Sequence, residues 1–211
     1  MTSLLTLASA SPARLATLRS AGIEPNVVVS GVDEDEVLAA ARRTSRVALS
    51  PANAVLILAR AKAEDVASRA TDGLVLGCDS MLEFDGEIMG KPIDAATAAA
   101  RWREMRGRSG ALHTGHWLVD SRPGSEGSTG ATASTIVHFA DLSDAEVDAY
   151  VATGEPLHVA GAFTVDGLGG SFVESIEGDH HNVVGLSLPL VRRLLGERGV
   201  SVMQLWRPEG A

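Results

Sequence analysis

The residues of this chain best suited to chemistry are charged or hydroxylic side chains placed where apolar segments end. Asp79 closes the strand-like run "VLGCDS", and carboxylates at the carboxyl ends of strands in open α/β sheets serve as metal ligands or general bases, although the same residue type also simply starts turns. The acidic run "GVDEDE" follows a second strand-like segment. One or two of Asp33, Glu34, Asp35 and Glu36 would join Asp79 around a hard cation such as Mg²⁺, and the rest would form a solvated face. Lys91 stands between Gly90 and Pro92, an arrangement that would hold its ammonium over a phosphate or leave it as a surface-turn lysine. In "LASASPARL", Ser11 is a good N-cap and Pro12 suits the first helical position. Ser9, Ser11 and Arg14 then add two hydroxyls and a guanidinium to the free N–H groups of a helix start, which makes either an anion cradle or an ordinary capped helix.

Strands and helices must alternate to position these groups. Leu4 to Ala8 reads as a strand, with a helix starting near Pro12. "NVVVS" at Asn26 to Ser30 reads as a second strand, followed by a helix from Pro51 to about Ala70. On that helix Val55, Leu58, Ala59, Lys62 and Val66 share one side, which turns Lys62 inward. "MLEFDGEIM" signals a hairpin around Asp85–Gly86. A helix is expected from Asp94 to Met105, with "ALHTGHWLVD" as the next strand and Ser121 to Gly130 as a long exposed hairpin loop before the strand "ATASTIVHF". "SDAE" is a capping box that opens a helix to about Ala152. A glycine-rich link covers Asp166 to Gly170, and a last helix runs from about Leu188 to Arg198. The pattern predicts an α/β fold with a mixed central sheet flanked by helices.

Composition narrows the function. The 211 residues are 45% hydrophobic, enough to bury a core as one large domain or two joined lobes. A formal net charge of −9 argues against nucleic acid or an anionic membrane as partner, so a polyanionic substrate requires local cations or a metal. The single cysteine, Cys78, excludes an internal disulfide framework. No apolar run reaches spanning length and no basic segment precedes the first apolar stretch, so a cytoplasmic location is expected. Neither a Walker A sequence nor G-x-G-x-x-G is present, and G-x-S-x-G is absent as well. His113 and His116 fall on opposite faces of a strand, while His180 and His181 read as loop residues, so the histidines do not suggest zinc.

Taken together, "LASASPAR", "VVVSGVDE", "LARAKA", "LGCDS", "GEIMGKP", "RGRSGALH", "YVATGEP", "AGAF" and "NVVGLSLPLV" resemble, in order and separation, the Maf family of nucleoside triphosphate pyrophosphatases, also called septum-formation inhibitors. The resemblance covers nearly the whole chain and implies a single domain over 1–211 with two lobes around a cleft. It implies hydrolysis between the α and β phosphates of a nucleoside triphosphate, a link to division arrest, clearance of non-standard nucleotides and a homodimer. It further implies that Ser9, Ser11 and Arg14 line the phosphate site, and that Glu34 and Asp79 serve a divalent cation, Mg²⁺ or Mn²⁺. Asp79 would be the proton acceptor, with Lys62 and Lys91 on phosphates. At the positions tied to substrate choice this chain has Ala13, Ser80 and Asp166, where many members have arginine, threonine and glutamine. His158 and Val159 also replace a usual Asp-Lys. The alternatives are a non-catalytic nucleotide-binding regulator of septum formation and an unrelated phosphohydrolase releasing orthophosphate.

Overall fold

The computed structural model describes residues 4–45, 47–69 and 72–206. The first strand, β1 (Leu5–Ala8), turns through Ser9 into α1 (Pro12–Ser20), where the Ser11 hydroxyl accepts from the Arg14 N–H as the N-cap. β2 covers only Asn26–Val27, shorter than expected. Among the described residues its sole neighbour, β1, is four residues long, and after Val28 donates to the Leu7 carbonyl the valines have no further ladder to join there. Val29 is accordingly exposed.

The acidic run is not a loop after a strand. Asp33 caps α2 (Glu34–Thr44), accepting from the Glu36 N–H at 3.0 Å, and Glu34, Asp35 and Glu36 form its first turn, where the helix dipole favours negative charge. α3 (Pro51–Ala67) begins behind Ser50 as expected. The end anticipated for it, Ala70, lies outside the described residues.

β3 (Leu74–Phe84) and β4 (Glu87–Met89) form the expected hairpin. Asp85 and Gly86 at its tip have φ of 52° and 81°, the positive values a type I′ turn needs. α4 (Ala95–Met105) leads to β5 (Ser109–Asp120) and β6 (Gly127–Phe139). The connection between the last two is four residues shorter than its loop composition suggests, ending at 126, because Gly127–Gly130 pair with Trp117–Asp120 in the ladder. Cross-strand pairing satisfies those backbone groups and overrides a weak local preference. α5 (Asp144–Ala152) has its capping box of Ser143 and Glu146. A 3-10 turn (Leu168–Phe172) replaces part of the expected glycine link, and β7 (Val173–Glu177), α6 (His180–Val184) and α7 (Leu188–Glu197) complete the chain. His180 and His181 are therefore helical, since Asp179 caps them by accepting from the His181 N–H.

The sheet has the order β2-β1-β3-β5-β6-β7, with β4 also on β3. β5 pairs with β3 from Leu74 to Glu83 and occupies one whole edge, so β1 and β4 share the other. β1 covers Leu74–Gly77 and β4 covers Leu82–Phe84, which leaves Cys78–Met81 without a strand partner on that edge among the described residues. One hydrophobic core, with Leu5, Leu18, Leu76 and Leu194, lies on the β1 side of this window. Another, with Leu82, Trp102, Phe139 and Tyr150, lies on the β4 side. The two cores are the two lobes, and the window is the gap between them. No helix among the described residues is long and apolar enough to cross a membrane.

Candidate active site

Both strands that flank the window deliver their carboxyl ends into it. β1 runs parallel to β3 and stops at the level of Gly77, so Ser9 and the start of α1 follow at the level of Cys78. β4 runs antiparallel, with Met89 opposite Leu82, so Gly90 and Lys91 come back from the other side. The Gly90 carbonyl accepts from Arg101 Nη1 at 2.7 Å and from the Gly161 N–H at 3.3 Å, which fixes the chain just before Lys91. Lys91 itself is exposed and makes no ion pair with the described residues.

Asp79 sits in the window on the face covered by α3. Helix and sheet approach closely there because Gly77 and Gly115 flank Asp79 on the two strands; a Cβ on either would meet an α3 carbonyl, of Ala59 or Val55, at 2.2 Å. Lys62, on the inner side of α3, is thereby brought against the strand. Its Nζ donates to Asp79 Oδ1 at 2.6 Å and lies 2.7 Å from Glu34 Oε1 at the start of α2. The Lys62 and Asp79 side chains are about nine-tenths buried, whereas the Glu34 side chain is 53% exposed. Burial pushes the Asp79 carboxyl above the usual range, opposed by the nearby charges of Lys62 and Arg14.

Arg14 lies on the other side of β3 and is largely committed to the protein. Its Nε donates to the Gly185 carbonyl at 2.8 Å, Nη1 to Ser9 Oγ at 3.0 Å and the Cys78 carbonyl at 2.9 Å, and Nη2 to Ser80 Oγ at 3.0 Å. One N–H of Nη2 is left over. The guanidinium thus ties β1, α1, β3 and the end of α6 together. Ser9 is buried, and its hydroxyl also accepts from the Ser11 N–H at 3.2 Å. Ala13 supplies a methyl group at the start of α1, and its carbonyl accepts from Thr17 Oγ1. Asp166 stands exposed on the bend before Leu168–Phe172 and makes no hydrogen bond or ion pair with the Lys62 group. The structure therefore brings Lys62, Asp79 and Glu34 into contact, joins Ser9, Ser11, Arg14 and Ser80 in a second cluster, and leaves Lys91 and Asp166 exposed and outside both clusters.

Several supporting residues carry no motif of their own. Ser80 Oγ is 2.9 Å from Thr114 Oγ1, which reaches the Asn182 carbonyl at 3.1 Å; the Asn182 amide donates to the Leu112 carbonyl and Thr135 Oγ1. His116 accepts the Ser187 N–H at Nε2 and lies 3.0 Å from the Thr114 carbonyl through Nδ1, and burial pulls its pKa down to about 4. Glu155 accepts from Thr164, Tyr150, Leu168 and Gly169, bracing the turn that holds Asp166. Burial opposes its charge, yet these hydrogen bonds together hold its carboxyl down at about 2. The Cys78 thiol is pushed by burial to about 12 and is chemically quiet. A surface depression bordered by Arg19, Gly22, Ile23 and Glu24 lies toward the other end of α1 from Arg14.

Comparison with known proteins agrees with this architecture. The chain is 58% identical over 207 residues to a nucleoside triphosphate pyrophosphatase of Salinispora tropica, covering 96% of this chain and 87% of that protein. It is 55% identical over 206 residues to one of Streptomyces avermitilis, covering 97% and 95%. A protein of the same name from Nocardia farcinica is 55% identical over 212 residues, covering 98% of each chain. The family described as Maf-like protein matches residues 4–198. The chain belongs to the Maf family.

Proposed function

We propose that this protein hydrolyses nucleoside triphosphates to a nucleoside monophosphate and pyrophosphate. The observation that carries the reading is the Lys62 ammonium held between the buried carboxylate of Asp79 and the exposed carboxylate of Glu34, in the window where β1 and β4 both end. The relatives' shared name supports the activity, and also weighs against a regulator without turnover.

The donor set fits a hard divalent cation. Two carboxylates gathered on one ammonium offer oxygen ligands only, and Mg²⁺ is commonly bound through one or two carboxylates with substrate phosphates and water completing the shell. Asp79 and Glu34 would hold Mg²⁺ or Mn²⁺, which would supply charge neutralisation at the phosphates and a more acidic water. Asp79 takes the proton of the attacking water through the oxygen not bonded to Lys62. Burial makes it a stronger base than an exposed aspartate, while the Lys62 charge favours its ionised form. Lys62 and Lys91 offset charge developing on the phosphates, with Lys91 arriving from the hairpin side. The Ala13 N–H at the start of α1, with the Ser9 and Ser11 hydroxyls, cradles the phosphate chain. Arg14 contributes mainly by holding that cradle against Ser80.

Ala13, Ser80 and Asp166 are the positions that the family reading ties to the choice of base. Without arginine at 13 and with an acceptor-only carboxylate at 166, readout of the base differs from that of members carrying arginine and glutamine there. A cytoplasmic location, a homodimer, clearance of non-standard nucleotides and a role in division arrest follow from the family reading. The test is product analysis with a nucleotide panel and Mg²⁺ or Mn²⁺. Release of pyrophosphate is expected; release of orthophosphate, or binding without turnover, overturns the proposal.

A further inference from the structure

At the end of α6 away from the groove, three side chains offer metal ligands to one point. Asp179, His180 and His181 each bring one donor atom to within 4.8 Å of the others. His181 Nδ1 lies 3.3 Å from Asp179 Oδ1, close to the separation of two ligands on one tetrahedral zinc with bonds of about 2.0–2.2 Å. The His180 and His181 rings lie against each other, tilted by 43° with centroids 3.8 Å apart, so the two imidazoles are side by side.

A second observation points the same way. Asp179 Oδ1 is used by the His181 N–H, but Asp179 Oδ2 is sealed from water and has no hydrogen-bond partner. A charged oxygen in that state costs free energy unless something with positive charge meets it. No lysine or arginine pairs with Asp179 among the described residues; its one ion pair there is with His181, and His116 also feels its charge. The backbone at Asp179 is also held in place, since its carbonyl accepts from Thr135 Oγ1 on β6 at 3.0 Å. Fixed backbone behind a ligand is what orients metal-binding side chains.

We propose that Asp179, His180 and His181 form a binding site for a borderline transition-metal dication of the Zn²⁺ or Co²⁺ class, separate from the hard-cation position at Asp79 and Glu34. Two imidazoles and one carboxylate suit such ions, whereas Mg²⁺ selects oxygen donors. His180 is exposed, which gives the ion a path in, and three protein ligands leave a fourth position to water or an outside ligand. The other end of α6 carries the Gly185 carbonyl that Arg14 grips, so the ion would sit five residues from the groove without sharing its ligands.

The experiment is a Co²⁺ titration of the untagged full-length protein, read by visible absorption in the presence of excess Mg²⁺. One equivalent of Co²⁺ is expected to bind with the absorption of a low-symmetry nitrogen and oxygen site. His180→Ala and His181→Ala should each weaken that binding by about tenfold or more, while Asp79→Asn should leave it in place. Circular dichroism establishes that each variant is folded. Absence of Co²⁺ binding to the folded parent, a titration unchanged by both histidine substitutions, or loss of the site in Asp79→Asn overturns the proposal. None of these outcomes depends on pyrophosphate release, so the site and the catalytic reading fail separately.

Discussion

Asp79 and Ser80 are neighbours in sequence and face opposite sides of β3: Asp79 accepts from Lys62 of α3, while Ser80 accepts from Arg14 of α1. Strand alternation enforces this, because consecutive side chains leave a pleated strand on opposite faces. A two-residue stretch of backbone therefore anchors the Lys62–Asp79–Glu34 cluster and the Arg14 cluster at once. Displacing β3 by a small amount moves both.

Asp79→Asn is expected to abolish pyrophosphate release while preserving the fold, since the amide keeps volume and hydrogen bonding but accepts no proton. Loss of a positioned general base alone accounts for about 10²–10⁴-fold in rate. Glu34→Gln should also lower the rate, most of all at limiting Mg²⁺, yet change stability by only about 0.5 kcal/mol, because its side chain is 53% exposed. Steady-state rates across a Mg²⁺ series, beside melting curves, check both. Full activity in Asp79→Asn would refute the assignment.

Lys62→Met should lose activity and stability together. It strips the partner from a buried carboxylate, a change that costs about 3–5 kcal/mol in comparable buried pairs. Pairing it with Asp79→Leu removes the stranded charge. The double variant is expected to regain much of the lost stability in urea denaturation and none of the activity, which separates the two roles of the pair.

The sequence made the chemistry of the site easier to read than its support. Asp79 is visible as a carboxylate in an apolar run, although the strand does not end there as expected but continues to Phe84 because Ser80–Glu83 stay paired with β5, and Lys62 is visible because it shares helical spacing with Val55, Leu58 and Val66. Thr114, His116 and Asn182 escaped, since a polar residue inside a strand or short helix signals nothing until pairing shows what it faces. The same limit explains Gly127–Gly130, loop-like by composition but held in β6 by β5. The acidic run at 33–36 was legible as charge and not as a helix start, although an aspartate ahead of three acids is the dipole-matched pattern. In the sequence, Arg14 stands out as a ligand for phosphate. Its four hydrogen bonds to protein acceptors belong to residues up to 171 positions away, which no local pattern reveals.

Arg14→Lys is expected to behave as a severe change despite keeping the charge. A lysine cannot reproduce the fork that meets Gly185, Ser9, Cys78 and Ser80, and at least two of those acceptors would lose a donor. At about 1 kcal/mol for each lost bond, the melting temperature should fall by roughly 5 °C. The rate should fall as well, because the cradle shifts against β3. Parent-like melting and turnover in this variant would show that the charge alone matters.

His116 sets a pH limit on the fold. Its Nε2 must stay unprotonated to accept the Ser187 N–H, and burial lowers its pKa from 6.5 to about 4. A base whose folded pKa lies below its unfolded value contributes its full stability above the unfolded pKa. That contribution is lost as pH falls toward the folded value, because the unfolded chain binds a proton that the folded chain refuses. Between pH 6.5 and about 4 the protein should therefore lose about 3 kcal/mol through this residue. Carboxylates such as Glu155, held near pKa 2 by their hydrogen bonds, add their own losses at lower pH and appear equally in any variant that keeps them. His116→Gln can still accept from Ser187 and does not titrate. Urea denaturation of parent and variant from pH 4 to 8 should give a stability difference that favours the parent above pH 6.5 and shrinks steadily toward pH 4, whereas a difference independent of pH would mean that His116 titrates normally.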